Sequence, residues 1–99
     1  MRAQDASASA VRVYLQEEFR GPAIVDLADP GSRARTFRVD DPQGTPIALT
    51  TVSTEFLENL TPHEVMEALL RHDLAGWMRK AGPRVRVIVA TTGLRTEPV

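Results

Sequence analysis

Apolar residues at Val11, Tyr14, Leu15 and Phe19 recur at intervals of three and four, the spacing of one helix face. A helix is therefore predicted from Asp5 to Arg20, with Asp5, Ser7 and Ser9 as start signals and Gly21-Pro22 as its stop. Val11, Val13 and Leu15 also alternate, so a short strand is the competing reading of the same stretch. The run AIVDLA at 23–28 predicts a short strand, followed by a turn at DPGS, 29–32.

The stretch from Arg33 to Ser53 reads as a hairpin. In Asp41-Pro42-Gln43-Gly44-Thr45 the proline suits the second position of a type I turn and the glycine the left-handed residue of the bulge that follows it. The loop then has three residues and Asp41 faces Thr45. Counting back predicts Val39 opposite Ile47 and Phe37 opposite Leu49 on one apolar face, with Thr36, Arg38, Asp40, Ala48 and Thr50 on the other.

STEFLENL, 53–60, predicts a short helical turn. A longer helix follows over 62–81: Thr61 is its N-cap, Pro62 its first residue and Glu64 the acid of a capping box, with Leu60 and Val65 placed as a hydrophobic staple. Arg79 and Lys80 complement its C-terminal dipole, and Gly82-Pro83 ends it. RVRVIVA, 84–90, predicts a strand with Val85, Val87 and Val89 on one face and Arg84, Arg86, Ile88 and Ala90 on the other. The ends, 1–4 and 94–99, are expected to fray. These elements amount to a single α+β domain over 1–99. It has a small, mainly antiparallel sheet of three to four strands, one long C-terminal helix packed on one face and a shorter N-terminal helix.

With 99 residues the chain has room for one core, and 42% apolar against 25% charged residues is the composition of an ordinary globular domain. The net charge of -1 gives no general attraction to nucleic acid. The absence of cysteine removes disulfides, thiolate metal sites and cysteine nucleophiles. No apolar run suits a signal peptide or a membrane span, so a cytoplasmic protein is expected, with no membrane partner. Arginine supplies all the basic residues but Lys80, and Ala and Val abound, as in proteins of GC-rich bacterial genomes.

The nearest approach to a catalytic motif is TPHEVMEALLRHDL, 61–74. His63 and His72 are nine positions apart, hence about 180° apart on a helix, so they do not share a metal. The residue four after His63 is Glu67, not the second histidine that a zinc protease helix requires. Asp73 is the odd residue, because on a continuous helix it falls inside the apolar stripe of Val65, Met66, Leu69, Leu70, Leu74 and Trp77. It calls for an arginine partner or for solvent near Gly76. Ser7, Ser9, Ser32 and Ser53 all sit in expected caps or turns, and there is no glycine-rich phosphate loop. No enzyme, cofactor or metal site is expected.

Charge placement says more. Arg33, Arg35 and Arg38 on the hairpin and Arg84 and Arg86 on the last strand would form a basic face, with Ile88 among them, while Glu55, Glu58, Glu64 and Glu67 load the helical side. Tyr14 and Trp77 suit a core or an interface better than base stacking. The order helix, strand, strand, helix, helix, strand is similar in topology to the type II KH nucleic-acid-binding fold. That family places a GxxG loop between its paired helices, where this chain has Asn59-Leu60-Thr61-Pro62, so no residue is carried over. The function expected is a small non-enzymatic protein-interaction module, homodimeric through self-association. The alternative is weak nucleic-acid binding by the sheet arginines.

Overall fold

The computed structural model describes residues 3–21, 23–28 and 34–99. The elements are α1 (Ala3–Glu18), β1 (Ala23–Ala28), β2 (Ala34–Asp40), β3 (Pro46–Ser53), α2 (Thr54–Asn59), α3 (Pro62–His72), α4 (Leu74–Ala81), β4 (Val85–Ala90) and β5 (Gly93–Pro98). The strands form one mixed sheet in the order β1-β2-β3-β4-β5. Neighbours are antiparallel except β3 and β4, which are parallel. A parallel pair needs a crossover. Here α2, α3 and α4 provide it, and with α1 they make a helical layer on one face of the sheet.

The α+β class and the mainly antiparallel sheet hold, but the sheet is larger than the three to four strands expected. The expected frayed tail is β5, an edge strand paired with β4 from Ala90↔Gly93 to Val85↔Pro98. Only Leu94 in it is a large hydrophobe, so its strand pattern is faint in the sequence. The helix reading of the N-terminal stretch is the observed one. However, α1 begins at Ala3, ahead of its expected start signals, and Ser7 is buried within it, donating from Oγ to the Leu60 carbonyl at 2.9 Å. The turn expected at 29–32 lies outside the described residues.

The hairpin loop is as the turn chemistry predicts. The Asp41 and Gly44 amides donate to the Thr45 and Asp41 carbonyls, and Asp41 Oδ1 accepts from the amides of Gln43 and Thr45. The register beyond it differs. Asp40 opposes Pro46 but Val39 opposes Ala48, so Ile47 is an extra residue in β3. Such a bulge shifts every later position by one and exchanges the faces of the bulged strand. Phe37 therefore opposes Thr50 rather than Leu49, and Ala48, Thr50 and Val52 turn inward. Inside, Thr50 donates to the Val87 carbonyl at 2.8 Å, which satisfies its buried hydroxyl across the parallel junction.

The core lies between this inner face and the helices. It includes Val11, Tyr14 and Leu15 of α1, Phe37 and Val39, Leu57, Val65 and Leu69, Leu74 and Met78, and Val87 and Val89. Among the described residues no helix is long and apolar enough to cross a membrane.

The capping box is present in full. Glu64 N–H donates to Thr61 Oγ1 at 3.2 Å, and Thr61 N–H donates to Glu64 Oε1 at 3.0 Å. Replacing Thr61 with alanine is expected to cost about 1 kcal/mol in chemical denaturation. The bond from the Thr61 amide holds the Glu64 carboxyl below its ordinary pKa, aided by the Thr61 hydroxyl. A carboxyl lowered on folding stabilises above its unfolded pKa and loses that contribution as pH falls through the folded value. Alanine keeps the Thr61 amide and loses only the hydroxyl, so only the smaller, hydroxyl-dependent share of the cost of Thr61→Ala should shrink on acidification.

The expected single helix over 62–81 is two helices. Asp73 breaks it in the left-handed conformation (φ 53°, ψ 53°), capping α3 at one end and α4 at the other.

Candidate interaction surface

Side chains alternate across a strand, so the register sorts the sheet residues into two faces. Away from the helices, one row runs Leu27, Thr36, Thr51, Ile88, Arg95. Beside it lie Val25, Arg38 and Leu49, with Arg86 and Glu97 paired on β4 and β5. All four helices are on the other side, so among the described residues this face carries only its own side chains. Leu27 is 38% exposed, and Ile88 and Leu49 are half-buried by their sheet neighbours. The hydroxyls of Thr36 and Thr51 meet at 3.0 Å in the middle.

Of the basic face read from the sequence, the structure puts Arg38, Arg86 and Ile88 together on this surface. Arg38 holds Asp40 through two bonds, Nε to Oδ1 at 2.7 Å and Nη2 to Oδ2 at 3.0 Å. Asp40 also raises the Arg38 pKa, fixing the guanidinium as a cation. Arg86 reaches Glu97 Oε1 from Nη2 at 3.3 Å across the β4–β5 ladder. Arg35 is not part of the surface. It alternates with Phe37 on the helix side of β2 and pairs there with Asp26. Arg84 is exposed just before β4, where its carbonyl accepts the Val99 amide. Arg33 lies outside the described residues.

The face is therefore charge-balanced in its interior rather than basic. What the sequence reading missed is the strand that supplies Glu97 and Arg95. Their i,i+2 spacing beside the turn Thr91-Thr92-Gly93 was the available signal.

On the helix side, an open cleft of about 610 Å³ lies between α4 and β5, lined by Asp73, Gly76, Trp77, Lys80, Ala81, Val85 and Thr96. Because the long helix is broken, Asp73 is exposed rather than buried in an apolar stripe, and its carboxylate accepts from Gly76 N–H at 3.3 Å. It is a capping residue, and this accounts for its place between apolar neighbours. The break also leaves Trp77 exposed, and Leu70, ahead of it in α3, is exposed as well, against the expectation that both lie in the apolar stripe. His63 is exposed and meets Glu67 at 2.7 Å, while His72 is exposed in the last turn of α3. Among the described residues no three potential metal ligands come together.

No known protein family, curated protein or solved structure matches the chain.

Proposed function

We propose that the chain is a small, non-enzymatic, cytoplasmic protein-interaction module that associates with a second copy of itself through its sheet. The observation that carries this reading is the state of the uncovered face: its central arginines are matched by its own carboxylates, Arg38 by Asp40 and Arg86 by Glu97, beside Leu27, Leu49 and Ile88. A surface that combines aliphatic side chains with ion pairs made within the same face suits contact with protein. Phosphate binding draws on cations free to replace counterions, and of the arginines on this face Arg38 and Arg86 are engaged with carboxylates, leaving Arg95 alone without an ion pair among the described residues.

The test is the molar mass of the full chain as a function of concentration, combined with titration by a mixed single- and double-stranded oligonucleotide pool at low and moderate salt. A mass rising from one to two chains with no salt-sensitive nucleic-acid binding is the expected result. A monomer at all concentrations, or oligonucleotide binding that falls steeply with salt, would overturn the proposal.

A further inference from the structure

The edge strand β5 ends the sheet, and its geometry settles which backbone groups it leaves open. Val99 N–H donates to the Arg84 carbonyl at 3.1 Å, so Arg84 and Val99 are a hydrogen-bonded pair of the antiparallel ladder. Such pairs recur at every second residue. Arg86 with Glu97, Ile88 with Arg95 and Ala90 with Gly93 follow in the observed register. The N–H and C=O groups of Gly93, Arg95 and Glu97 thus point to β4. Those of Leu94 and Thr96, and the carbonyl of Pro98, point away from the sheet.

An exposed edge of this kind is a template for another strand. If that strand is β5 of a second copy, a two-fold axis pairs each residue with one of the partner, and side-chain charge selects the register. Centring on Arg95 or on Glu97 sets like charges face to face, and centring on Leu94 leaves both charges without a mate. Centring on Thr96 sets Arg95 opposite the partner's Glu97 and Glu97 opposite the partner's Arg95. The same register makes Thr96 a hydrogen-bonded pair with its own copy, using the N–H and C=O that point outward. It also offers the Leu94 amide to the Pro98 carbonyl, and Pro98, having no N–H, ends the ladder there. Arg95 and Glu97 then occupy non-hydrogen-bonded positions, where facing side chains come closest. Arg86 engages only one oxygen of Glu97, and Arg95 has no ion pair among the described residues.

The cleft supplies a second reason. Thr96 is on its wall, and across it Trp77 is 41% exposed. A strand added about 4.8 Å beyond β5 carries alternate side chains on the same side as Thr96, toward the open flank of the cleft and Trp77. The other edge strand, β1, has a single charged residue, Asp26, already held by Arg35, and offers no comparable self-complementary pair.

We propose that two copies join by antiparallel pairing of β5 with β5 about Thr96, so that the sheet runs on across the interface and is locked in register by Arg95–Glu97 pairs. This rests on the self-association proposed above and places its contact at the β5 edge of the sheet rather than on its open face. The experiment is molar mass over a range from about 1 µM to about 1 mM. It compares the wild-type chain, R95E, E97R and an equimolar mixture of the two variants, with far-UV circular dichroism on each to verify folding. Each variant alone sets like charges across the axis and should dimerise at least about tenfold more weakly. The mixture restores opposite charges at both positions and should recover the dimer. Thr96→Pro removes an outward N–H while leaving the β4 ladder intact, and should also yield monomer. A wild-type dimer that R95E and Thr96→Pro leave unchanged would overturn the edge pairing and leave self-association standing. A mixture no more dimeric than its components would overturn the register. A wild-type monomer would remove both proposals.

Discussion

Replacing Tyr14 with alanine is expected to destabilise the fold by about 3–5 kcal/mol, the range for truncating a buried aromatic residue. Tyr14 is buried in α1, and its ring is part of the core that joins α1 to the crossover helices. Its hydroxyl has a further role, accepting the Ala75 amide at 3.0 Å. Ala75 lies in the first turn of α4, where amides have no partner within their own helix. Because Ala75 is buried, water is a poor substitute for that bond.

Tyr14→Phe keeps the ring and removes the acceptor, so it should cost about 1–3 kcal/mol, leaving the rest of the alanine effect to packing. Urea or guanidinium titrations of the two variants separate the contributions. Alkaline pH offers an independent check. Burial pushes the Tyr14 pKa above that of an ordinary phenol, partly offset by the Ala75 bond. A group whose pKa is raised on folding contributes its full stabilisation below the unfolded value and loses it as pH rises through the folded one. The wild-type chain should therefore lose stability above about pH 10 more steeply than Tyr14→Phe.

Tyr14 also shows how the sequence conveys an element but not its neighbours. The spacing of Val11, Tyr14, Leu15 and Phe19 identifies α1, yet nothing in it says that the hydroxyl will meet a helix start 61 residues away. The same holds for Arg79. It is placed as a dipole-complementing residue in the last turn of its helix, and in the fold it donates to the Glu18 carbonyl at 2.6 Å and lies 4.8 Å from the centre of the Phe19 ring. Local chemistry is legible where it closes on itself within a few residues. The Thr61 capping box and the Asp41 to Thr45 loop are both of this kind, and both stand as read.

The misreadings have one physical origin. Counting along a strand or around a helix assumes that the element is regular, and one irregular residue resets the phase beyond it. Ile47 in the bulge moves Leu49 to the outer face and brings Thr50 into the core. Asp73 in the left-handed conformation leaves Trp77 outside the stripe that a continuous helix would bury. The basic face dissolved for a different reason. Arg35 and Arg38 are three apart and so occupy opposite faces of β2, and the carboxylate partner of Arg86 comes from a strand whose sequence is too polar to announce itself.

The helix break makes the second large effect depend on shape rather than charge. Asp73 combines a positive φ with a side chain that accepts from Gly76 N–H. Asparagine tolerates the left-handed region and keeps a capping oxygen, so Asp73→Asn should fold with stability within about 0.5 kcal/mol of wild type. Glycine loses the cap, worth about 1 kcal/mol, but removes a conformational strain of similar size, so Asp73→Gly should also fall within about 1 kcal/mol. Valine loses the cap and places a β-branched side chain in the left-handed region, and Asp73→Val should cost about 2–4 kcal/mol. Denaturant titration of the three variants reads the order directly. Asparagine as damaging as valine would instead assign the role to the carboxylate charge. Gly76 bears on the same junction, because a Cβ there would stand 2.2 Å from the Asp73 carboxylate. Gly76→Ala should therefore turn Asp73 out of its cap and mimic the loss of that hydrogen bond, coupling the two positions through the break that opens the cleft beside Trp77.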